Sequence, residues 1–281
     1  MRISVILSTY NQPEWLEKSL IGYGCQSYSD FEIVIADDGS SDSTREVIDR
    51  MSASLNQPIK HVWHEDDGFR KCRILNLAIL ESSGDYLIFS DGDCIPQKDF
   101  VLTHRNKAEA GHFLSGGYLK LPMALSKAIT SEDIETGETG RFADPKWLLA
   151  NGMPPNKGML KLITNRSIKR LLNSITTTKA TWNGHNASGW KTDMLTIDGF
   201  DERMGYGGQD REFGERLINL GIRPKQIRFS TVCLHLDHKR SYIDKAKWRA
   251  NYEIRKKTRK NRLIRTEYGI SKILDTKFIK L

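Results

Sequence analysis

A strand–helix rhythm runs through the first ninety residues and leaves few folds open. Ile3–Leu7, Phe31–Ala36, Ile59–Trp63 and Tyr86–Ser90 are short runs rich in β-formers, each read as a strand. Between them, Pro13 opens a helix in its first turn, with Leu16 and Leu20 one turn apart. Ser41 or Asp42 caps a second helix, in which Thr44, Val47, Ile48 and Met51 share one face. Arg70–Glu81 is a third, with Ile74, Leu77 and Ala78 inward. Strands alternating with helices of this length predict an α/β fold, a mostly parallel central sheet flanked by helices.

Ligands on such sheets sit at the carboxyl ends of the strands. Those ends carry Ser8-Thr9-Tyr10-Asn11, Asp37-Asp38, His64-Glu65-Asp66-Asp67 and Asp91-Gly92-Asp93, a polar and acidic rim. In extended backbone, residues two apart point the same way, so Asp91 and Asp93 can reach one object. Two neighbouring buried anions repel unless a cation lies between them, and oxygen ligands suit Mg²⁺ or Mn²⁺. A plain turn after a strand uses the same residue types. No G-x-G-x-x-G follows the first strand and no G-x-x-x-x-G-K-[ST] occurs, which discounts dinucleotide and P-loop folds.

The middle of the chain, from about Thr103 to Lys179, is irregular. Ser131–Gly140 and Asn151–Gly158 read as loops, and Ile163–Ser174 as a basic amphipathic helix. Regularity returns at Trp182–Trp190. A helix then begins near Asp210, with Phe213, Leu217 and Leu220 on one face and Gly221 ending it. Ile227–Leu236 reads as a last strand, carrying His235. The net charge of +8 is concentrated in a basic run from Lys239 to Arg265, in which Trp248 and Tyr252 lie one helical turn apart. No apolar run approaches the ~18–20 residues that span a bilayer. Ile3–Leu7 is too short for a signal-peptide core, and Cys25, Cys72, Cys94 and Cys233 form no C-x-x-C pair. These features lead us to expect a cytoplasmic protein.

Taken in order, Ser-Val-Ile-Leu-Ser-Thr-Tyr-Asn at the start, Asp37-Asp38-Gly39-Ser40 and Asp91-Gly92-Asp93 resemble family 2 glycosyltransferases of the nucleotide-diphospho-sugar transferase (GT-A) fold. Ile197-Asp198-Gly199-Phe200 through Gly207-Gly208-Gln209-Asp210 resembles the carboxyl half of β-1,4-galactosyltransferases and chondroitin-polymerase transferase domains. Phe69–Asn76 resembles a segment of the same galactosyltransferases. The resemblance covers about Ile3 to His238. It implies a nucleotide-sugar site at Thr9, Tyr10, Asn11, Asp38, Lys71, Arg73 and Asp91. It also implies a divalent ion, Mn²⁺ or Mg²⁺, on Asp91, Asp93 and His235. Asp210 becomes the candidate base, whose plain alternative is a helix N-cap. Tyr206, Gly208 and Gln209 fall on the acceptor side. Gln209 stands where those relatives carry glutamate, so their sugar specificity is not carried over. A zinc site of Cys233, His235 and His238 is weakened because His235 and His238 would face opposite sides of a regular strand.

The expected organisation is one GT-A catalytic domain over 1–238, with 1–94 holding nucleotide and 95–238 holding acceptor and base. A basic helical extension, 239–281, follows. The expected function is metal-dependent, inverting transfer from a UDP-sugar to a saccharide or lipid-linked saccharide acceptor, in bacterial surface-polysaccharide or lipopolysaccharide assembly. The tail invites a peripheral contact with an anionic membrane surface. A nucleotidyltransferase would need a basic glycine-rich loop after the first strand, which is absent. Nucleic-acid binding through the tail is the remaining rival, and nucleic acid is not the expected partner.

Overall fold

The computed structural model describes residues 1–137, 139–238 and 244–278. Strands β1 (Ile3–Thr9), β2 (Glu32–Asp37), β3 (Ile59–Trp63) and β4 (Tyr86–Asp91) lie parallel in the order β3-β2-β1-β4. Both faces of β1, β2 and β4 are covered, which explains their near-continuous apolar sequence. Val5, Leu7 and Ile33 face one core with Leu16 and Leu20 of α1 (Pro13–Gly24) and Val47, Ile48 and Met51 of α2 (Asp42–Ser54). Ile6, Val34 and Phe89 face the other, with Ile74, Leu75 and Ala78 of α3 (Lys71–Glu81).

The chain continues through β5 (Cys94–Pro96), α4 (Phe100–Lys107), β6 (His112–Ser115) and β7 (Gly117–Lys120). Four short helices follow: α5 (Met123–Ala128), α6 (Ser131–Glu135), α7 (Pro145–Ala150) and α8 (Arg166–Ile175). Then come β8 (Ala187–Trp190), α9 (Lys191–Thr196), α10 (Gln209–Asn219), β9 (Arg223–Gln226) and β10 (Val232–His235). Helices α11 (Lys245–Lys260) and α12 (Ile270–Phe278) end the described chain. The large sheet runs β3-β2-β1-β4-β8-β6-β9, and within it only β8 opposes the other strands. A second sheet, β5-β10-β7, stands beside it.

The middle region is more ordered than its sequence suggests. Leu119, Leu125, Ile129, Ile134, Phe142 and Leu148 form a third core with Leu234 of β10. Half of the expected Ser131–Gly140 loop is α6, nucleated by a capping box. Thr130 Oγ1 accepts from Asp133 N at 3.2 Å, while Asp133 accepts from Thr130 N at 3.0 Å. The expected last strand is shorter than Ile227–Leu236, because a turn closed by Ser230 N and Ile227 O precedes Val232.

The basic run is not a detached attachment. Lys239 and Arg240 lie outside the described residues. Helix α11 lies along α10, where Thr258 Oγ1 donates to Glu212 Oε1 at 2.9 Å and Arg255 pairs with Glu215 at 2.6 Å. Glu212 also pairs with Arg216 inside the protein, and both are almost fully buried. The start of α10 is thus fixed from two sides.

Candidate active site

A cleft of about 690 Å³ opens at the carboxyl ends of β1, β2 and β4. Thr9, Tyr10 and Asn11 enter it from β1, Asp38 from the turn after β2, and Lys71 from the start of α3. Asp91, Gly92 and Asp93 form its floor, Tyr206, Gln209 and Asp210 its far wall, and His235 and His238 one end. Arg73 is not on this surface. Its guanidinium turns away to Glu202 at 3.1 Å. Gly208 is not on it either; it is the N-cap of α10 with φ 91°, and a β-carbon there would meet Arg255.

On the β1–β2 side, Asp38 is held by two donors. His64 Nε2 lies 2.8 Å from Oδ1, and Arg70 N donates to Oδ2 at 3.0 Å. Asn11 adopts a left-handed φ of 49° and its Oδ1 accepts from Ser41 N at 2.9 Å. That contact satisfies the start of α2, whose Ser41 makes no cap bond of its own. Tyr10 donates to Asp66 Oδ2 at 2.9 Å, which raises its pKa, and its ring is 44% exposed at the cleft mouth.

Asp91 and Asp93 converge by a different route from simple strand alternation. β4 ends at Asp91, and a turn at Gly92 and Asp93 passes the chain to β5. Gly92 N donates to Ser8 O at 2.7 Å, and a β-carbon at Gly92 would crowd that carbonyl at 3.1 Å. Asp91 is occupied by Lys71 Nζ at 2.6 Å and Ser8 Oγ at 2.7 Å. Burial alone would push the Lys71 ammonium down and the Asp91 carboxyl up. Their mutual attraction outweighs it, holding Lys71 above the lysine range and Asp91 below the carboxylate range.

Asp93 instead meets two imidazoles. His235 Nε2 lies 3.7 Å and His238 Nε2 3.0 Å from Asp93 Oδ2. One ligand atom from each of the three falls within 4.8 Å of the others. The alternation argument against His238 fails because β10 stops at His235, so residues 236–238 lie outside the regular strand. His235 Nδ1–H donates to Leu236 O at 2.8 Å, fixing the tautomer that leaves Nε2 as a lone-pair donor. One carboxylate and two imidazoles fit a divalent transition ion better than Mg²⁺, which prefers oxygen alone. Cys233 does not complete that group; its Sγ donates to His185 O at 3.3 Å.

Asp210 is the second residue of α10, so it is not the cap. Gly184 comes so close that a β-carbon there would lie 3.0 Å from Asp210 Oδ1. That oxygen is buried and has no hydrogen-bond partner among the described residues. Burial, the dominant influence, raises the pKa to about 6, with Asp91 adding to it and Lys71 and the Gly184 backbone opposing. A helix dipole favours the ionised form at this position, but desolvation outweighs it.

Aromatic residues that the sequence reading did not single out also line the cleft. His185 and Tyr118 stack edge to face at 4.4 Å on the cleft wall, and burial pushes His185 down to about 4, so it stays neutral. Phe69 sits edge-on to Tyr206 at 6.0 Å. No spacing rule links 69, 118, 185 and 206. Phe69 opens the segment Phe69–Asn76 and His185 lies in Trp182–Trp190, whereas nothing local marks Tyr118.

A profile for "Glycosyl transferase family 2" matches residues 4–129. Validoxylamine A glucosyltransferase of Streptomyces hygroscopicus is 26% identical over 85% of this chain and 56% of its own length. Chondroitin synthase of Escherichia coli is 26% identical over 78% of this chain and 32% of its own. The chain thus spans about half, or less, of the length of these curated relatives. Among solved structures, mannosyltransferase PcManGT of Pyrobaculum calidifontis, in complex with GDP-Man and Mn²⁺, superposes with a TM-score of 0.57. Its identity is 19%, over 89% of this chain and 60% of that one. Staphylococcus aureus TarS in complex with UDP-GlcNAc also gives 0.57, at 15% identity over 90% of this chain and 64% of that one. The motif order, the sheet topology with its acidic cleft, and these matches agree: the chain has the GT-A fold, and its residues 4–129 match the family 2 glycosyltransferase profile.

Proposed function

We propose that this cleft transfers a sugar, with inversion, from a UDP-sugar to a saccharide or lipid-linked saccharide acceptor. Asp210 carries the reading: a buried carboxylate with one unpartnered oxygen and a pKa of about 6, across the cleft from Asp91 and Asp93. A general base works best when its pKa lies near the operating pH. An inverting transferase needs one such base, since the acceptor hydroxyl loses its proton as it attacks the anomeric carbon. Asp38, Thr9, Tyr10 and Asn11 would hold the uridine. Asp93, His235 and His238 would hold the divalent ion, with Mn²⁺ favoured over Mg²⁺ by the imidazole pair. When bound, such an ion neutralises charge on the departing diphosphate. Asp91 would act beside it, through Lys71, whose ammonium could also meet a phosphate oxygen. Tyr206 and Gln209 would contact the acceptor.

TarS and PcManGT were solved with UDP-GlcNAc and GDP-Man respectively, which supports a nucleotide-sugar without choosing the base or the sugar. Lys71 is the only lysine or arginine among the described cleft residues, too few for the triphosphate of a nucleotidyltransferase. Residues 1–94 would form the nucleotide half and 95–238 the acceptor half, in the assembly of a surface polysaccharide or lipopolysaccharide. A cytoplasmic location fits a UDP-sugar donor. The exposed cations of α11, Arg249, Lys256, Lys257, Arg259 and Lys260, would draw the enzyme toward an anionic membrane.

The Asp210→Asn variant tests the base. Turnover should fall by about 10²–10⁴-fold, while UDP affinity in Mn²⁺ stays at the parent value. Near-normal turnover would remove Asp210 from catalysis. Lost UDP binding would move it to the nucleotide site.

A further inference from the structure

Between Asp144 and Asp193 the chain has eight lysines and arginines and no acidic residue. Helix α8 lies in this stretch and is turned inside out. Its polar side faces the protein: Lys169 Nζ donates to Ser230 O at 2.9 Å, and Asn173 Oδ1 accepts from Phe229 N at 2.9 Å. Its apolar residues Ile168, Leu171, Leu172 and Ile175 follow i, i+3, i+4, i+7 spacing and join none of the three cores. Ile168 is 43%, Leu171 56% and Ile175 62% exposed, and no residue of the helix is buried. An amphipathic helix normally buries its apolar stripe. One held in place by its polar side leaves that stripe for something outside the chain.

The charge selects the occupant. A second copy would set the exposed Arg166 and Arg170 of one helix against those of the other. Single-stranded nucleic acid gains from aromatic platforms, and this face has only aliphatic side chains. An anionic bilayer satisfies both halves. Its acyl boundary takes the aliphatic stripe, and its headgroups attract cations within about one Debye length, ~8–10 Å, comparable to the helix diameter. Exposed Arg166 and Arg170 lie within that reach on the polar side.

We propose that α8 is an interfacial helix, lying in the plane of an anionic lipid surface with Ile168, Leu171, Leu172 and Ile175 in the acyl boundary. This deepens the membrane reading given for the basic tail, but it rests on a different helix and on none of the sugar-transfer chemistry. The test is co-sedimentation of the full chain with phosphatidylcholine vesicles, with and without phosphatidylglycerol, alongside light scattering. The parent should bind only the anionic vesicles. The Leu171→Ser/Ile175→Ser double variant should bind about tenfold more weakly or worse, with unchanged melting temperature because both side chains are exposed. A Lys256→Glu/Lys257→Glu variant, which reverses two of the tail's charges, should weaken binding without abolishing it, so that each variant lowers binding on its own. The proposal is overturned by parental binding in the α8 variant, by equal or absent binding to both vesicles, or by a dimer that the α8 variant dissociates. Loss of binding in the tail variant alone would leave the tail reading standing and remove α8 from it.

Discussion

Asp210 owes its raised pKa to what surrounds it. A carboxylate raised from its ordinary value to about 6 is destabilised when ionised, so its protonated form favours the folded state. That contribution is complete below the unfolded pKa and is lost as pH rises through about 6. The Asn variant, which never ionises, should accordingly melt no lower than the parent at pH 7, and turnover of the parent should decline as pH falls below about 6. The Gly184→Ala variant provides a geometric control. Its β-carbon, 3.0 Å from Asp210 Oδ1, should displace that carboxylate and lower turnover while UDP affinity persists. Equal turnover in Gly184→Ala would mean that the carboxylate is not poised there. For the ion, His238→Ala should weaken Mn²⁺ binding more than about tenfold, measured by calorimetry with UDP present; unchanged affinity would return the site to Asp91, Asp93 and His235. At this scale the acidic motifs were legible because carboxylates cluster at strand ends for few reasons. His238 was not, because its position depends on where β10 stops. Arg73 misled, because its partner Glu202 is distant in sequence and nothing local announces the pair.

The Tyr206–Asp210 wall of the cleft is tied to α11 by an amide. Asn251 is buried, and its Nδ2 donates to the carbonyls of Gly205, Tyr206 and Gly207 at 3.0, 3.2 and 2.8 Å. Removing it strands carbonyls at a cost of about 1–3 kcal/mol. The Asn251→Ala variant should therefore lose several degrees in melting temperature and lose turnover through a loosened Tyr206–Asp210 segment. Unchanged kinetics would show that this loop holds its shape without α11. Gly207 and Gly208 belong to the same account. Their φ values of 104° and 91° favour glycine, and a β-carbon on Gly207 would strike Trp248 Cδ1 at 2.4 Å. The glycine pair thus serves backbone geometry and the seating of α11, a requirement visible only once the tail is placed. Helix α6 shows the opposite case: the Thr130–Asp133 capping box was present in the sequence, hidden by a stretch that otherwise resembles a loop.

For the whole molecule, β1 to β4 and their helices were readable because each strand's apolar run and each helix's periodicity are local signals. The second sheet was not. β5, β7 and β10 are three or four residues long, and β10 pairs with partners more than a hundred residues away, so no window contains the pattern. Yet that sheet delivers His235 beside Asp93, joining the last strand to the turn after β4. Residues 1–94 and the late histidines therefore meet only in the completed fold, and the proposed reaction should require both. The most direct measurement is mass spectrometry of acceptor saccharides incubated with a UDP-sugar panel, using enzyme stripped by chelator and then supplied with Mn²⁺. One donor should add a single sugar residue to an acceptor when Mn²⁺ is present, and excess chelator should abolish the product. Undiminished transfer in excess chelator would contradict the account, as would a panel in which no UDP-sugar is consumed with Mn²⁺ present.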